Sequence, residues 1–228
     1  MKKSLVIMVV SLFILSAGLV EARERARSGS YQGKNTSGTY ERKVSRQPGQ
    51  VNKTSTWTNE RGTGSRNVER KWDKDTKTGT YSSQTTTANG KTVSRSGTVT
   101  KNDDGSVTSH GTITGPQGKT TTVDRTATKT GDGAWSVQKT YTGEEGKTLT
   151  VDKTIQKTDT GRVVTGTYET NTGKSGSFSK TITKDENGIT KDQSWTNQDG
   201  KTWDRDVNIT RDGNTWTKDV TVTNTENP

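Results

Sequence analysis

The chain has 228 residues, of which only 22% are hydrophobic, with 35 Lys+Arg against 25 Asp+Glu for a net charge of +10, no Cys and a single His. That composition excludes a conventional packed core, disulfide stabilisation, thiol catalysis and any metal centre built from Cys and His ligands. Two options remain: a chain too polar to order itself, or a repeat in which thin apolar rows are shared among many neighbours.

In chain order, Lys2 and Lys3 precede an apolar run from Leu5 to Leu15, and Val20-Glu21-Ala22 places small or modest residues where a signal peptidase reads. Residues 1–22 therefore predict a secretory signal, too short in its apolar part for the roughly 20 residues that span a bilayer. The expected location is the periplasm, the extracellular space or the cell surface. Residues 23–50, with Arg23, Arg25, Arg27, several Ser and Gly, and Pro48, predict a flexible basic lead-in.

From residue 51 to 228 the chain repeats. Gly62, Gly90, Gly118, Gly146, Gly173 and Gly200 stand at intervals of 28, 28, 28, 27 and 27, with Gly33 as a degenerate earlier member. A second turn falls between successive glycines, as at Asp104-Gly105, Asp132-Gly133, Thr160-Gly161, Asn187-Gly188 and Asp212-Gly213. Such dipeptides between β-prone runs are strong hairpin signals. The strands alternate with period two: Leu149, Val151, Lys153, Ile155 and Lys157 point one way, and Thr148, Thr150, Asp152, Thr154 and Gln156 the other. The β-branch of the abundant Thr suits strands, and no helical apolar period occurs after residue 22. The expected fold is an all-β antiparallel meander of six or seven two-strand units, each of 27–29 residues. A meander is favoured over a parallel solenoid by one column, Lys101, Lys129, Lys157, Lys184 and Arg211, all basic. A solenoid would stack those charges on adjacent strands, whereas a meander doubles their separation.

Catalytic chemistry has little to work with. His110 lies in a predicted strand and reads as one polar residue among many Thr, and Asp204 and Asp206 share a strand face with nothing around them that makes a dry cleft. The acidic turns at Asp103-Asp104-Gly105 and Asp185-Glu186-Asn187-Gly188 lack the spacing of a calcium loop, and Asp and Asn are the ordinary residues of tight turns. No catalytic residue, metal or cofactor is expected. The remaining surface signal is the basic column, with Lys119, Lys147, Lys174 and Lys201 also following the key glycines, interleaved with Trp135, Trp195, Trp203 and Trp216. A periodic cationic array releases counterions from a linear polyanion, and aromatic rings stack on sugars or bases. The expected partners are acidic polysaccharide, lipopolysaccharide or extracellular DNA; the alternative is a structural or stress-related envelope protein with no specific ligand. The runs Thr98-Val99-Thr100, Thr112-Ile113-Thr114 and Thr148-Leu149-Thr150 resemble, over a tripeptide, the Thr ranks of β-solenoid ice-binding proteins, which implies ice binding as a third option. Asp124, Asp152 and Asp206 interrupt the same face.

Overall fold

The computed structural model describes residues 23–33, 36–212 and 215–225, with side chains described except at 31–33, 36, 211–212 and 215–216. The expected signal segment, 1–22, lies outside the described residues. The rest forms one sheet of 15 strands in sequence order, each antiparallel to the next. The strands are β1 (Arg23–Gly33), β2 (Thr36–Gln47), β3 (Gln50–Asn59), β4 (Gly62–Asp73), β5 (Thr78–Thr86), β6 (Thr92–Lys101), β7 (Val107–Thr114) and β8 (Thr120–Gly131). They continue as β9 (Ala134–Gly143), β10 (Thr148–Lys157), β11 (Gly161–Thr170), β12 (Ser175–Lys184), β13 (Gly188–Asn197), β14 (Thr202–Asp212) and β15 (Thr215–Thr225).

The meander is therefore present, and it is longer than the glycine spacing predicts. Six or seven two-strand units fall short of 15 strands, and the difference lies at the N-terminal end. Residues 23–47, expected as a lead-in, form β1 and β2, paired from Arg23↔Arg46 to Gly33↔Thr36. The physical reason is visible in the residues: Arg23, Arg25 and Arg27 alternate with Glu24 and Ala26, as Tyr40, Arg42, Val44 and Arg46 alternate with Glu41, Lys43 and Ser45. That is the same two-residue period, with Arg standing where later units carry aliphatic groups.

Turns set the register. At one edge, five connections follow a Gly-Lys pattern. In the β7–β8 turn, the Gly115 N–H donates to the Lys119 carbonyl at 2.8 Å and the Gly118 N–H to the Gly115 carbonyl at 3.0 Å. Gly118 sits at φ +79, a conformation that closes a hairpin with one bulged residue and that a Cβ would penalise. Thr87–Lys91, Thr170–Lys174 and Asn197–Lys201 repeat both hydrogen bonds, and Gly143–Lys147 repeats the first of them around a 3-10 turn. Successive turns on this edge are also latched together. The N–H groups of Thr120, Thr148 and Ser175 donate to the side-chain oxygens of Glu144, Asn171 and Gln198, the second residue of the next turn, at 3.2, 3.1 and 3.2 Å. At the opposite edge, turn carbonyls do the stitching: Lys101, Lys157 and Lys184 donate their N–H to Lys77, Gly133 and Thr160 at 2.9, 2.9 and 2.7 Å.

Directly opposed residues share a face, so the register sorts the side chains. Across β9, β10 and β11, Trp135, Ile155 and Val164 align, as do Val137, Lys153 and Gly166; on the reverse, Ser136, Thr154 and Thr165 align, as do Gln138, Asp152 and Thr167. One face is thus apolar and basic, the other threonine-rich. The core is a thin transverse row on the first face: Val107, Ala127 and Val137 are directly opposed across β7, β8 and β9 and are 6%, 1% and 1% exposed.

Aromatic rings close gaps that the glycines leave. Trp57 stands opposite Gly64, Trp72 opposite Gly79, Phe178 opposite Gly166 and Tyr168 opposite Gly176. A Cβ on Gly79 would lie 2.8 Å from the Trp72 ring and one on Gly166 would lie 2.6 Å from the Phe178 ring. Each ring therefore lies flat over the neighbouring strand, which is how a single sheet, with no second layer among the described residues, buries apolar area.

Candidate functional site

Charge is segregated by face. Every acid within a strand, from Glu24, Glu41 and Glu69 through Asp124, Asp152 and Glu169 to Asp192, Asp204, Asp206 and Asp219, stands at a register position on the threonine face. The strand Lys and Arg take the other face, with Lys43 and Lys71 as exceptions, and these two are paired with Glu41 and Glu69 at 3.1 Å each. Further ion pairs, Lys77–Asp103 and Lys147–Glu145, are in turns. Among the described residues, no Asp or Glu occupies a position on the cationic face.

Like charges therefore meet. Arg27 is directly opposed to Arg42, Arg125 to Lys139, and Lys157 to Arg162. Opposed like charges destabilise a sheet unless something screens them. The middle of the face shows the consequence. Lys139 is only 8% exposed, and its ammonium lies 3.5 Å from the Tyr141 hydroxyl and 5.8 Å from that ring's centre, a phenol and not a carboxylate. Burial, then Lys153, Arg125 and Arg95, push its pKa down to about 8. Burial also lowers Arg125, Lys153 and Lys180, and the last two feel Arg162 as well. Arg95 is lowered by burial and by Arg66.

The column Lys101, Lys129, Lys157, Lys184 and Arg211 is brought onto this face, on alternate strands β6, β8, β10, β12 and β14 and at the same strand end. Successive members are about 10 Å apart, twice the strand spacing. Lys101, Lys129, Lys157 and Lys184 are exposed. The side chains of Arg211 and Trp216 lie outside the described residues, although their backbones are opposed across β14 and β15. Trp135 is directly opposite Lys129, whereas Trp195 and Trp203 oppose each other at the far strand end, away from Lys184. The aromatic groups accordingly flank the column at one point and form a separate pair elsewhere. Lys119, Lys147 and Lys174 are exposed in the Gly-Lys turns.

Arg95, Arg125, Lys139, Lys153 and Lys180 escaped the sequence reading as a group. Their signal was available: each falls at an apolar-face position with an aliphatic or aromatic residue two places away. Their burial depends on how rows from different strands pack, which spacing along one strand does not give.

The other candidates are simpler. His110 Nδ1 lies 2.6 Å from Asp124, its directly opposed partner on the threonine face, an ordinary exposed cross-strand contact. Asp206 is opposed to Asp192, with Asp204 beside Ser194. Among the described residues, no group of three or more His, Asp or Glu could hold a metal ion, and no helix is long and apolar enough to cross a membrane. An open groove of about 580 Å³ crosses the threonine face, lined by hydroxyls such as Ser136, Thr165 and Ser177 with the carboxylate of Asp152. No family model matches the chain, no curated protein matches it, and no solved structure matches its fold.

Proposed function

We propose that this is an exported, non-enzymatic sheet protein whose cationic face binds anionic polymers of the cell envelope or matrix, acidic polysaccharide first, with lipopolysaccharide and extracellular DNA as further members of the class. One observation carries the reading: cations stand directly opposed, as Arg125 to Lys139 and Lys157 to Arg162, on a face that among the described residues has no carboxylate, while the strand acids occupy the reverse. A chain that places its acids on one face and its cations on the other forgoes internal neutralisation. An external polyanion supplies the missing charge and gains the entropy of its released counterions. The cations follow one another from strand to strand, so the polymer would lie across the strands, meeting Lys101, Lys129, Lys157 and Lys184 in turn, with Trp135 available to stack on a sugar.

The test is retention on an immobilised acidic polysaccharide across a salt series. The logarithm of affinity should fall linearly with the logarithm of salt concentration, and changing Lys101, Lys129, Lys157 and Lys184 together to Gln should flatten that slope by about 3 to 4, roughly one for each cation removed. Weak, salt-independent retention, or an unchanged slope in the variant, would instead support a structural sheet with no ligand.

A further inference from the structure

Among the described residues the sheet does not close, so β1 and β15 each present a row of backbone groups with no strand partner there, the usual route to unwanted strand pairing. The two edges are guarded differently. β1 begins Arg23-Glu24-Arg25-Ala26-Arg27, and charge of that density resists a neighbouring strand. β15 carries only Lys218 and Asp219 among its charged residues and otherwise alternates Val220 and Val222 with Thr, with no Gly or Pro. Those valines are 46% and 66% exposed, and they lie beside Val207 and Arg205 of β14, where Val207 is only 3% exposed. The apolar row therefore runs to the edge and stops in solvent.

We infer that β15 is a homodimer interface, pairing antiparallel with β15 of a second copy about a two-fold axis perpendicular to the sheet at Thr221. The register follows from charge and face. Pairing must keep the cationic faces on the same side, because a one-residue slip would turn every side chain over. A centre at Lys218 or Asp219 opposes like charges. A centre at Val220 puts Lys218 against Val222 of the second copy. A centre at Thr221 puts Val220 against Val222 of the second copy and the reverse, Lys218 against Asn224, and Asp219 against Thr223. Both valine pairs are then covered by one isologous contact. The product is a continuous sheet with a single cationic face, and its outer edges are both the arginine-rich β1, so the assembly ends at two copies and does not grow into a fibre. This inference stands apart from polymer binding.

Sedimentation velocity of the mature chain, without polymer and at low and high salt, should give twice the monomer mass. Val222→Lys should return it to the monomer mass with its far-UV spectrum unchanged. Because the chain has no Cys, Thr221→Cys gives a second reading that does not depend on how Val222→Lys folds: in this register it meets its own counterpart at disulfide distance and crosslinks under mild oxidation, while Thr217→Cys does not. A wild-type monomer at all concentrations, a mass that climbs steadily with concentration, or equal crosslinking of the two cysteine variants would overturn the inference.

Discussion

Lys139 shows what the segregation of charge does to a single residue. It is the one buried cation among the described residues, and burial with three nearby cations takes its pKa from 10.5 to about 8. Below pH 8 the folded sheet holds a proton that the unfolded chain holds more easily, at a cost on the order of 3 kcal/mol. That cost fades as pH rises from 8 towards 10.5, where the unfolded chain loses its proton too. For this group, stability rises with pH through that window, and Lys153 and Lys180, also lowered by burial, act in the same direction. Lys139→Met should therefore stabilise the sheet at pH 7 by about 1 to 3 kcal/mol, and urea unfolding at pH 7 and pH 9.5 should show the wild type gaining stability with pH more than the variant does.

Elements are held by turn chemistry and by rings lying over glycines. Asn171 both accepts from the Thr148 N–H at 3.1 Å and donates from its amide to the Gly146 carbonyl at 2.9 Å, bridging two turns. Asn171→Ala should lower unfolding free energy by about 1 kcal/mol, read from the urea midpoint at constant slope. Gly166→Ala should cost more, about 1 to 3 kcal/mol. Its Cβ would meet the Phe178 ring at 2.6 Å and Lys153 Cβ at 2.8 Å, and would also press on the Asp152 carbonyl. In Gly118→Ala nothing lies within 4 Å of the new Cβ. Only the φ of +79 resists it, so the comparison separates packing from backbone strain.

The Gly-Lys turns and the two-residue alternation were legible in the sequence, because both are local and recur at a fixed interval. From them the meander, its two unlike faces and the alternate-strand placement of Lys101 through Arg211 all follow. The inclusion of β1 and β2 was hidden, since Arg23, Arg25 and Arg27 read as a basic linker and the repeat glycine that ends β1, Gly33, is a degenerate member of the series. The covering of Gly64 by Trp57 and of Gly166 by Phe178 depends on register between strands. So does the opposition of Arg125 to Lys139, which sets two ordinary strand cations directly against each other, one of them buried.

The described residues form a single open layer, so its stability is spread along the array, each hairpin resting on its neighbours. The same layer is a two-faced object electrically, and a polymer bound to one face changes the titration of the other groups there. An anion near Lys139 favours its protonated form and returns its pKa towards 10.5. Binding should then take up protons between about pH 8 and 10, and affinity should fall as pH rises through that range. Calorimetry in buffers of different ionisation enthalpy would read the uptake directly, and Lys139→Met should reduce it.

The most direct measurement of one-sided binding is lysine acetylation followed by peptide mass spectrometry, with and without an acidic polysaccharide. One-sided binding predicts strong protection of Lys101, Lys129, Lys157, Lys184 and Lys191 on the cationic face, and unchanged reactivity of Lys43 and Lys71 on the threonine face. Equal protection of both faces, or protection confined to Lys119, Lys147 and Lys174 in the turns, would contradict it.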